Sequence, residues 1–286
     1  MAYNVPAETN IFNILKQATQ CLISHDITEA KTDAEVLLCG VLNITRNKLI
    51  TLRQETLNQE QYKKYQKYIN RRITREPVAY ILGETEFMGL KFKVNHNVLV
   101  PRQETELIVD IANDLIKKNN ISTVLDLCTG SGCIAVSIAK YNPNILVTSV
   151  DISSKALSIA KENALINEVS QQINFIESNM FNNIIGKKFD IIISNPPYVM
   201  LDEYKKLEKE IFFEPKIAFL AGTDGLDFYR VIAEKVKYFL NKDGVLLLEL
   251  NANISLQIVD LFRKFIFTKI KKDYSGLDRI LIVQNG

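Results

Sequence analysis

Four consecutive residues, Asn195-Pro196-Pro197-Tyr198, are suited to chemistry on a planar NH2 group. The two prolines fix the backbone and remove two N–H donors. Carbonyls in such a turn stay free to accept hydrogen bonds from a ligand. Asn195 adds a side-chain acceptor and Tyr198 a flat face. The groups that fit are a glutamine side-chain amide or the exocyclic amine of adenine, cytosine or guanine. The other reading of the same residues is a proline-stiffened loop. Phe189-Asp190-Ile191-Ile192-Ile193-Ser194 precedes the turn and reads as the buried strand that delivers it.

A second set of residues suits a nucleoside. Thr123-Val124-Leu125-Asp126-Leu127 reads as a strand and Cys128-Thr129-Gly130-Ser131-Gly132 as a small-residue turn. Cys133 to Tyr141 then has helical spacing, with Ile134, Val136, Ile138 and Ala139 apolar. In strand, glycine turn and helix the backbone comes close to a ligand. Gly130 and Gly132 permit that approach because they lack a Cβ. A plain tight loop would look the same. Leu146 to Val150 forms the next strand and ends in Asp151, about twenty residues after the glycines, where an acid can accept from both ribose hydroxyls. Its alternative role is to cap a helix beginning near Ser153. After a third strand, Ile173 to Ile176, come Ser178-Asn179-Met180-Phe181. Asn179 can accept from an adenine amine there, and Met180 or Phe181 can cover the ring. Helix packing suits Phe181 equally. There is no GxxxxGK(S/T) loop, and Cys128 takes the first glycine position of GxGxxG. This weighs against nucleoside triphosphates and, more weakly, against NAD. S-adenosylmethionine carries no phosphate and needs only the glycine turn and the ribose acid.

The elements that must position these residues form a doubly wound α/β pattern from Glu104 onward. Its strands centre on Leu125, Val147, Asn174, Ile192, Leu247, Phe267 and Ile282. Phe265 to Ile270 and Arg279 to Gln284, joined through Asp273-Tyr274-Ser275-Gly276, suit an antiparallel pair at the sheet edge. Residues 1–75 read as helical. Ile11, Ile14, Leu15, Ala18 and Leu22 keep one face. Thr32-Asp33-Ala34-Glu35 opens a second run, with Val36, Leu37 and Leu38. A third, Asn58 to Arg75, carries Tyr62, Tyr65 and Tyr68. It also carries Lys63, Lys64, Lys67, Arg71, Arg72 and Arg75, with no acid between Gln61 and Arg75. Such a helix can grip an acidic partner or RNA, or be a solvated helix with partly buried tyrosines. Residues 76–102 read as a linker with a short hairpin, Glu84 to Leu90 and Lys91 to Val94, and a turn at His96. The expected organisation is a helical docking domain at 1–75, the linker at 76–102 and a catalytic domain at 103–286.

Composition bounds the rest. The chain has 286 residues, 47% of them hydrophobic, which supports a large core. Its net charge of +2 sets up no global field that demands a polyanion. Cys21, Cys39, Cys128 and Cys133 form no CxxC pair and, without a signal segment, read as reduced cytoplasmic thiols. His25 and His96 lie in no ligand-spaced cluster, so no metal is expected. The apolar runs are strand-length, so no transmembrane helix is expected.

With these segments in place, the chain resembles the glutamine-N5 methyltransferases that modify peptide chain release factors, the HemK/PrmC family. The resemblance runs through Arg75 to Gly83, Phe87-Met88-Gly89, Val98 to Glu106 and Asp126 to Gly132. It continues through Asn195 to Tyr198, Glu214-Pro215 and Gly222 to Tyr229. Asn-Pro-Pro-Tyr alone is shared with nucleic-acid amino-methyltransferases, whereas Pro101 to Glu106 is more specific to the release-factor branch. The chain departs from the family at several positions. Gln103 stands for a usual Pro and Asn179 for a common Asp. Cys128 stands for a usual Gly, as is frequent in a sister branch acting on a ribosomal protein. Glu249-Leu250-Asn251-Ala252-Asn253 replaces a more glycine-rich turn. None removes a group the chemistry requires; they leave cofactor affinity and the choice of protein substrate open.

The resemblance implies a class I methyltransferase: a Rossmann-like, seven-stranded α/β fold with a small N-terminal helical domain. It implies S-adenosylmethionine held by Cys128, Thr129, Gly130, Ser131, Gly132, Asp151, Asn179, Met180 and Asn195. The implied acceptor is the glutamine of a Gly-Gly-Gln loop in a release factor, bound by Asn195, Pro196, Pro197 and Tyr198. Of these, Asn195, Pro196 and Tyr198 act on the reacting amide. A cytoplasmic, monomeric enzyme of translation termination is implied, with no need for nucleic acid. The competing readings are an amino-methyltransferase of DNA or RNA bases, a methyltransferase of a ribosomal-protein glutamine, and a non-enzymatic binding module. The last is disfavoured by the intact Asp151 and Asn195 to Tyr198.

Overall fold

In the computed structural model, which describes residues 10–285, the chain sorts into two units. The first is helical and lies within residues 1–83, joined by Lys209–Phe213. Its helices are α1 (Ile11–Ile23), α2 (Ala30–Leu42), α3 (Arg46–Thr51), α4 (Gln59–Ile73) and α5 (Val78–Leu82). Asn10 caps α1 by accepting from Asn13 N, and Asn58 with Gln61 forms a capping box on α4. Ile11, Ile14, Ala18 and Leu22 are buried, as their three- and four-residue spacing requires. The Tyr65 hydroxyl donates to Ala34 O at 3.0 Å. A Cβ on Gly40 would lie 2.3 Å from Leu82 Cδ2, so this glycine lets α2 meet α5. Helices α3 and α5 are too short to show a period in the sequence.

The basic stretch on α4 divides in the structure. Arg71 pairs with Glu76 at 2.6 Å, Arg72 with Asp33 at 2.7 Å and Glu210 at 2.8 Å, and Arg75 with Glu210 at 2.9 Å. The three arginines are therefore engaged in ion pairs within the unit and do not stand free for a partner. Lys63, Lys64 and Lys67 are exposed.

The second unit comprises Glu84–Glu208 and Glu214–Gly286. It opens with the hairpin of β1 (Glu84–Phe87) and β2 (Leu90–Lys93), and His96 follows in a turn. Then come α6 (Glu106–Lys118), β3 (Thr123–Leu127), α7 (Cys133–Tyr141), β4 (Leu146–Asp151), α8 (Ser154–Ile166), β5 (Ile173–Glu177) and β6 (Phe189–Ser194). The chain continues through α9 (Leu201–Tyr204), α10 (Asp227–Phe239), β7 (Leu240–Glu249), α11 (Ser255–Leu261), β8 (Phe267–Lys272) and β9 (Asp278–Gln284).

The seven-stranded sheet runs β5-β4-β3-β6-β7-β9-β8, with β9 antiparallel to both of its neighbours, β7 and β8, and the other neighbouring pairs parallel. It is the Rossmann-like arrangement expected from the sequence. Alternate residues along the strands enter different cores. Val124, Val147, Ile191 and Ile193 join α6 and α7 on one face. Leu125, Val150, Ile192 and Leu248 join α10 and α11 on the other. From β3 the chain winds outward to β4 and β5, then returns to β6 on the other side of β3. The carboxyl ends of β3 and β6 thus flank a switch point, where open α/β sheets leave a crevice.

Candidate active site

The turn after β3 needs small residues because its backbone is left-handed three times in five positions. Cys128 has φ +61°, Gly130 +55° and Gly132 +79°. Thr129 N donates to Val150 O at 2.9 Å and docks the turn on β4. Beneath it lies Asp126, fully buried, accepting from Thr129 Oγ1 at 2.6 Å. Ser149 Oγ in turn donates to Thr129 Oγ1 at 2.6 Å. Burial pushes the Asp126 carboxyl up to about 7, against the pull of the Thr129 bond.

The two glycines do different work. A Cβ on Gly130 would meet nothing within 4 Å, so this face is open. A Cβ on Gly132 would lie 3.0 Å from Ala160 Cβ and 3.2 Å from its Cα. Gly132 therefore brings α7 against α8, while Gly130 is the glycine that lines the cavity.

Asp151 closes β4. Its Oδ2 accepts from Gly130 N and its Oδ1 from Ser153 N, each at 2.9 Å. A carboxylate has about four acceptor sites, so capacity remains for two hydroxyls. Burial raises its pKa while those backbone bonds hold it down. The cap on α8 is Ser153 itself, which accepts from Ala156 N at 3.2 Å, so the capping alternative for Asp151 falls away. Past β5, Asn179 is exposed on the wall. Met180 is buried with Sδ 3.6 Å from Cys128 Sγ, and burial pushes the Cys128 thiol far up, so it stays neutral. Phe181 stacks on Phe239 at 4.6 Å, in the core and off the wall.

Asn195 leaves the end of β6 half-buried. Its Nδ2 donates to Thr105 Oγ1 at 3.2 Å, and Thr105 Oγ1 donates to Glu249 Oε2 at 2.7 Å. Asn195 and Pro197 stand on the cavity wall with Thr129, Gly130, Ser131 and Asp151; Pro196 and Tyr198 do not. Tyr198 is half-buried and packs against the core cluster that holds Tyr229 of α10, and burial pushes its phenol up to about 12. Tyr198 O lies 2.8 Å from where a Gly225 Cβ would be, so the turn is backed by close packing.

Other residues of the site escape sequence reasoning. The buried Glu214 accepts from Val100 N at 2.8 Å and pairs with Arg102. This fixes the segment before α6 along the cavity. Thr105 and Glu249 do the same for Asn195. Their partners lie 90 or more positions away, so no local pattern in the sequence marks these roles. The cavity, about 230 Å3, is lined entirely from the second unit. The open face of Gly130, the spare acceptors of Asp151 and the apolar floor of Ile134 and Met180 fit a nucleoside-bearing ligand. Among the described residues no His, Cys, Asp or Glu cluster could hold a metal, and no helix is long and apolar enough to cross a membrane.

Residues 13–83 match the PrmC N-terminal domain and residues 105–238 the methyltransferase small domain. The chain is 38% identical to the release factor glutamine methyltransferase of Thermodesulfovibrio yellowstonii, over 89% of this chain and 92% of that protein. It is 39% identical to that of Buchnera aphidicola, over 96% and 99%. A bifunctional methyltransferase of Rickettsia bellii is 35% identical over 95% of the chain, which spans 54% of that longer protein. Among solved structures, a methyltransferase from Pyrococcus furiosus shares the fold, with TM-score 0.50 at 19% identity over 70% of this chain and 91% of that one.

Proposed function

This chain belongs to the release factor glutamine methyltransferases, enzymes that use S-adenosylmethionine, and we propose that it methylates the glutamine N5 in a release factor's Gly-Gly-Gln loop. The observation that carries the reading is a shared wall. Asn195 and Pro197 line the same cavity as Gly130 and Asp151, so an amide-binding turn faces a nucleoside-binding one.

S-adenosylmethionine supplies a methyl group on a positively charged sulfur. Asp151 would hold its ribose through charge-assisted hydrogen bonds, and Gly130, Asn179 and Met180 would border the rest. An amide nitrogen is a poor nucleophile because its lone pair is delocalised. Asn195 Oδ1 and the Pro196 carbonyl accept the two N–H groups of the substrate amide and orient it. They also stabilise positive charge as it develops there, which is preorganisation aimed at the transition state. Holding the nitrogen at attack distance contributes much of the remaining acceleration. The released proton passes to water. Pro197 shapes the wall, and Tyr198 holds the turn from behind. The two glycines of the acceptor loop let it enter a narrow cavity. The enzyme acts as a monomer in the cytoplasm, where translation ends, without nucleic acid.

Single-turnover methylation of a release factor with saturating cofactor tests the reading. Asn195→Ala is expected to fold, to lose roughly 100-fold in rate, and to lose less in cofactor affinity. Near-wild-type turnover would return Asn195 to Tyr198 to the status of a stiff loop. Labelled cofactor offered with duplex DNA in parallel separates the base-methylating reading.

A further inference from the structure

The proposed reaction needs one end of the Asn195 amide, its oxygen, to face the substrate. An amide is nearly symmetric in shape, so something must choose the end. We infer that Thr105 and Glu249 are positioning residues that lock Asn195 with its oxygen toward the acceptor amide. This rests on the reading of Asn195 given above.

The geometry fixes the direction of each bond. An ionised carboxylate only accepts, and a threonine hydroxyl carries one hydrogen. Thr105 Oγ1 gives that hydrogen to Glu249 Oε2, 2.7 Å away. Its lone pairs are left to accept from Asn195 Nδ2, 3.2 Å away. With Nδ2 engaged, Oδ1 is the end left for a ligand. Thr105 and Glu249 are each 2% exposed, so bulk water does not compete for these bonds. Thr105 sits just ahead of α6, Asn195 at the end of β6 and Glu249 at the end of β7. Three separate elements are thus tied at one point.

The lock has a sign that depends on Glu249. When protonated, its O–H donates to Thr105, whose hydrogen then turns to Asn195. The amide reverses and presents Nδ2 to the substrate NH2, donor against donor. Burial pushes Glu249 up to about 7, opposed by the Thr105 bond, Arg279 and Arg102 and reinforced by Glu104. Tyr198, Tyr229 and Cys133 also face this carboxyl. Because the pKa is raised, the active orientation belongs to the ionised form, above the midpoint. It is lost as the pH falls through that midpoint.

The test combines a spectroscopic readout with kinetics. The side-chain amide resonance of Asn195, followed by 15N NMR in the free enzyme, is expected to titrate with a midpoint near 7 and to be flat in Glu249→Gln. Single-turnover rates of the wild type should fall on the acid side, while Glu249→Gln should be slower by about 2- to 10-fold and lack that acid limb. Thr105→Val should lose a similar about 2- to 10-fold at unchanged cofactor affinity, and Thr105→Ser should restore it. An unaltered acid limb in Glu249→Gln, or an Asn195 resonance that titrates identically in it, overturns the inference. So does wild-type turnover by Thr105→Val while Asn195→Ala is slow. A fast Asn195→Ala instead removes the amide reading on which the inference stands.

Discussion

Asp126 and Asp151 are carboxylates at or near the ends of neighbouring strands, yet they are put to opposite uses. Asp151 stays on the wall with free acceptors, and Asp126 is sealed beneath Thr129. Asp151→Ala is expected to weaken S-adenosylmethionine binding by at least roughly tenfold in calorimetry, through loss of two charge-assisted bonds. Unchanged affinity in a folded variant would remove Asp151 from the cofactor site. Asp126 makes a prediction about stability. Its folded pKa of about 7 lies above that of an exposed carboxylate. Between about 4 and 7 the folded state holds a proton that the unfolded state has lost, so stability falls as pH rises through this window. The slope for one such group is up to ~1.4 kcal/mol per pH unit. Asp126→Asn should therefore gain on the wild type as pH rises, as read from urea midpoints at several pH values. Parallel curves would show that Asp126 is not protonated in the fold. Asp151 was legible because a strand end after a glycine turn is a local pattern. Thr105 and Glu249 were not, because their roles depend on partners that only the folded sheet brings together.

At the scale of elements, the strands were the most legible feature. Each expected centre falls inside an observed strand, because buried strands show short apolar runs and period-two alternation. Helices α3 and α5, six and five residues long, were missed for want of a full period. The turn between β3 and α7 was found, but the division of labour between its glycines was not. A left-handed backbone and a missing Cβ look the same in sequence whether they serve a ligand or a helix contact. Gly132→Ala separates these uses. The new Cβ would press on Ala160 at 3.0 Å, and φ +79° is unfavourable for any L side chain. The expected loss is about 1–3 kcal/mol in denaturant unfolding. Adding Ala160→Gly should relieve the clash but not the backbone cost, so only part of the loss is recovered. Full stability in Gly132→Ala would show that α7 and α8 have room to move apart. The same backbone explains why glycine is usual at position 128: with φ +61°, Cys128 adopts a conformation that a side chain disfavours.

At the scale of the whole molecule, charge that reads as one feature in sequence is used in two ways. Arg72 is buried between Asp33 and Glu210, and Arg75 shares Glu210. Burial pushes Asp33 up despite Arg72, whereas against the same desolvation Arg72 and Arg75 hold Glu210 down. Glu210 lies 138 positions from Arg72, so nothing local in the sequence shows that these arginines hold the helical unit together. Lys63, Lys64 and Lys67 remain on the exposed face of α4, with Lys64 over the Tyr68 ring at 5.7 Å. A protein substrate needs a docking surface beyond its reacting glutamine, and exposed charges act mainly on encounter and on salt dependence. Reversing the three lysines to Glu should therefore raise KM for a whole release factor and change its ionic-strength dependence. Cofactor affinity should be unaltered, because that site is lined entirely from the second unit. A short Gly-Gly-Gln peptide, which lacks the rest of the partner surface, should be methylated by wild type and variant alike. Equal KM values for the whole release factor at low salt would assign these lysines to solvation alone and leave docking to other faces of the chain.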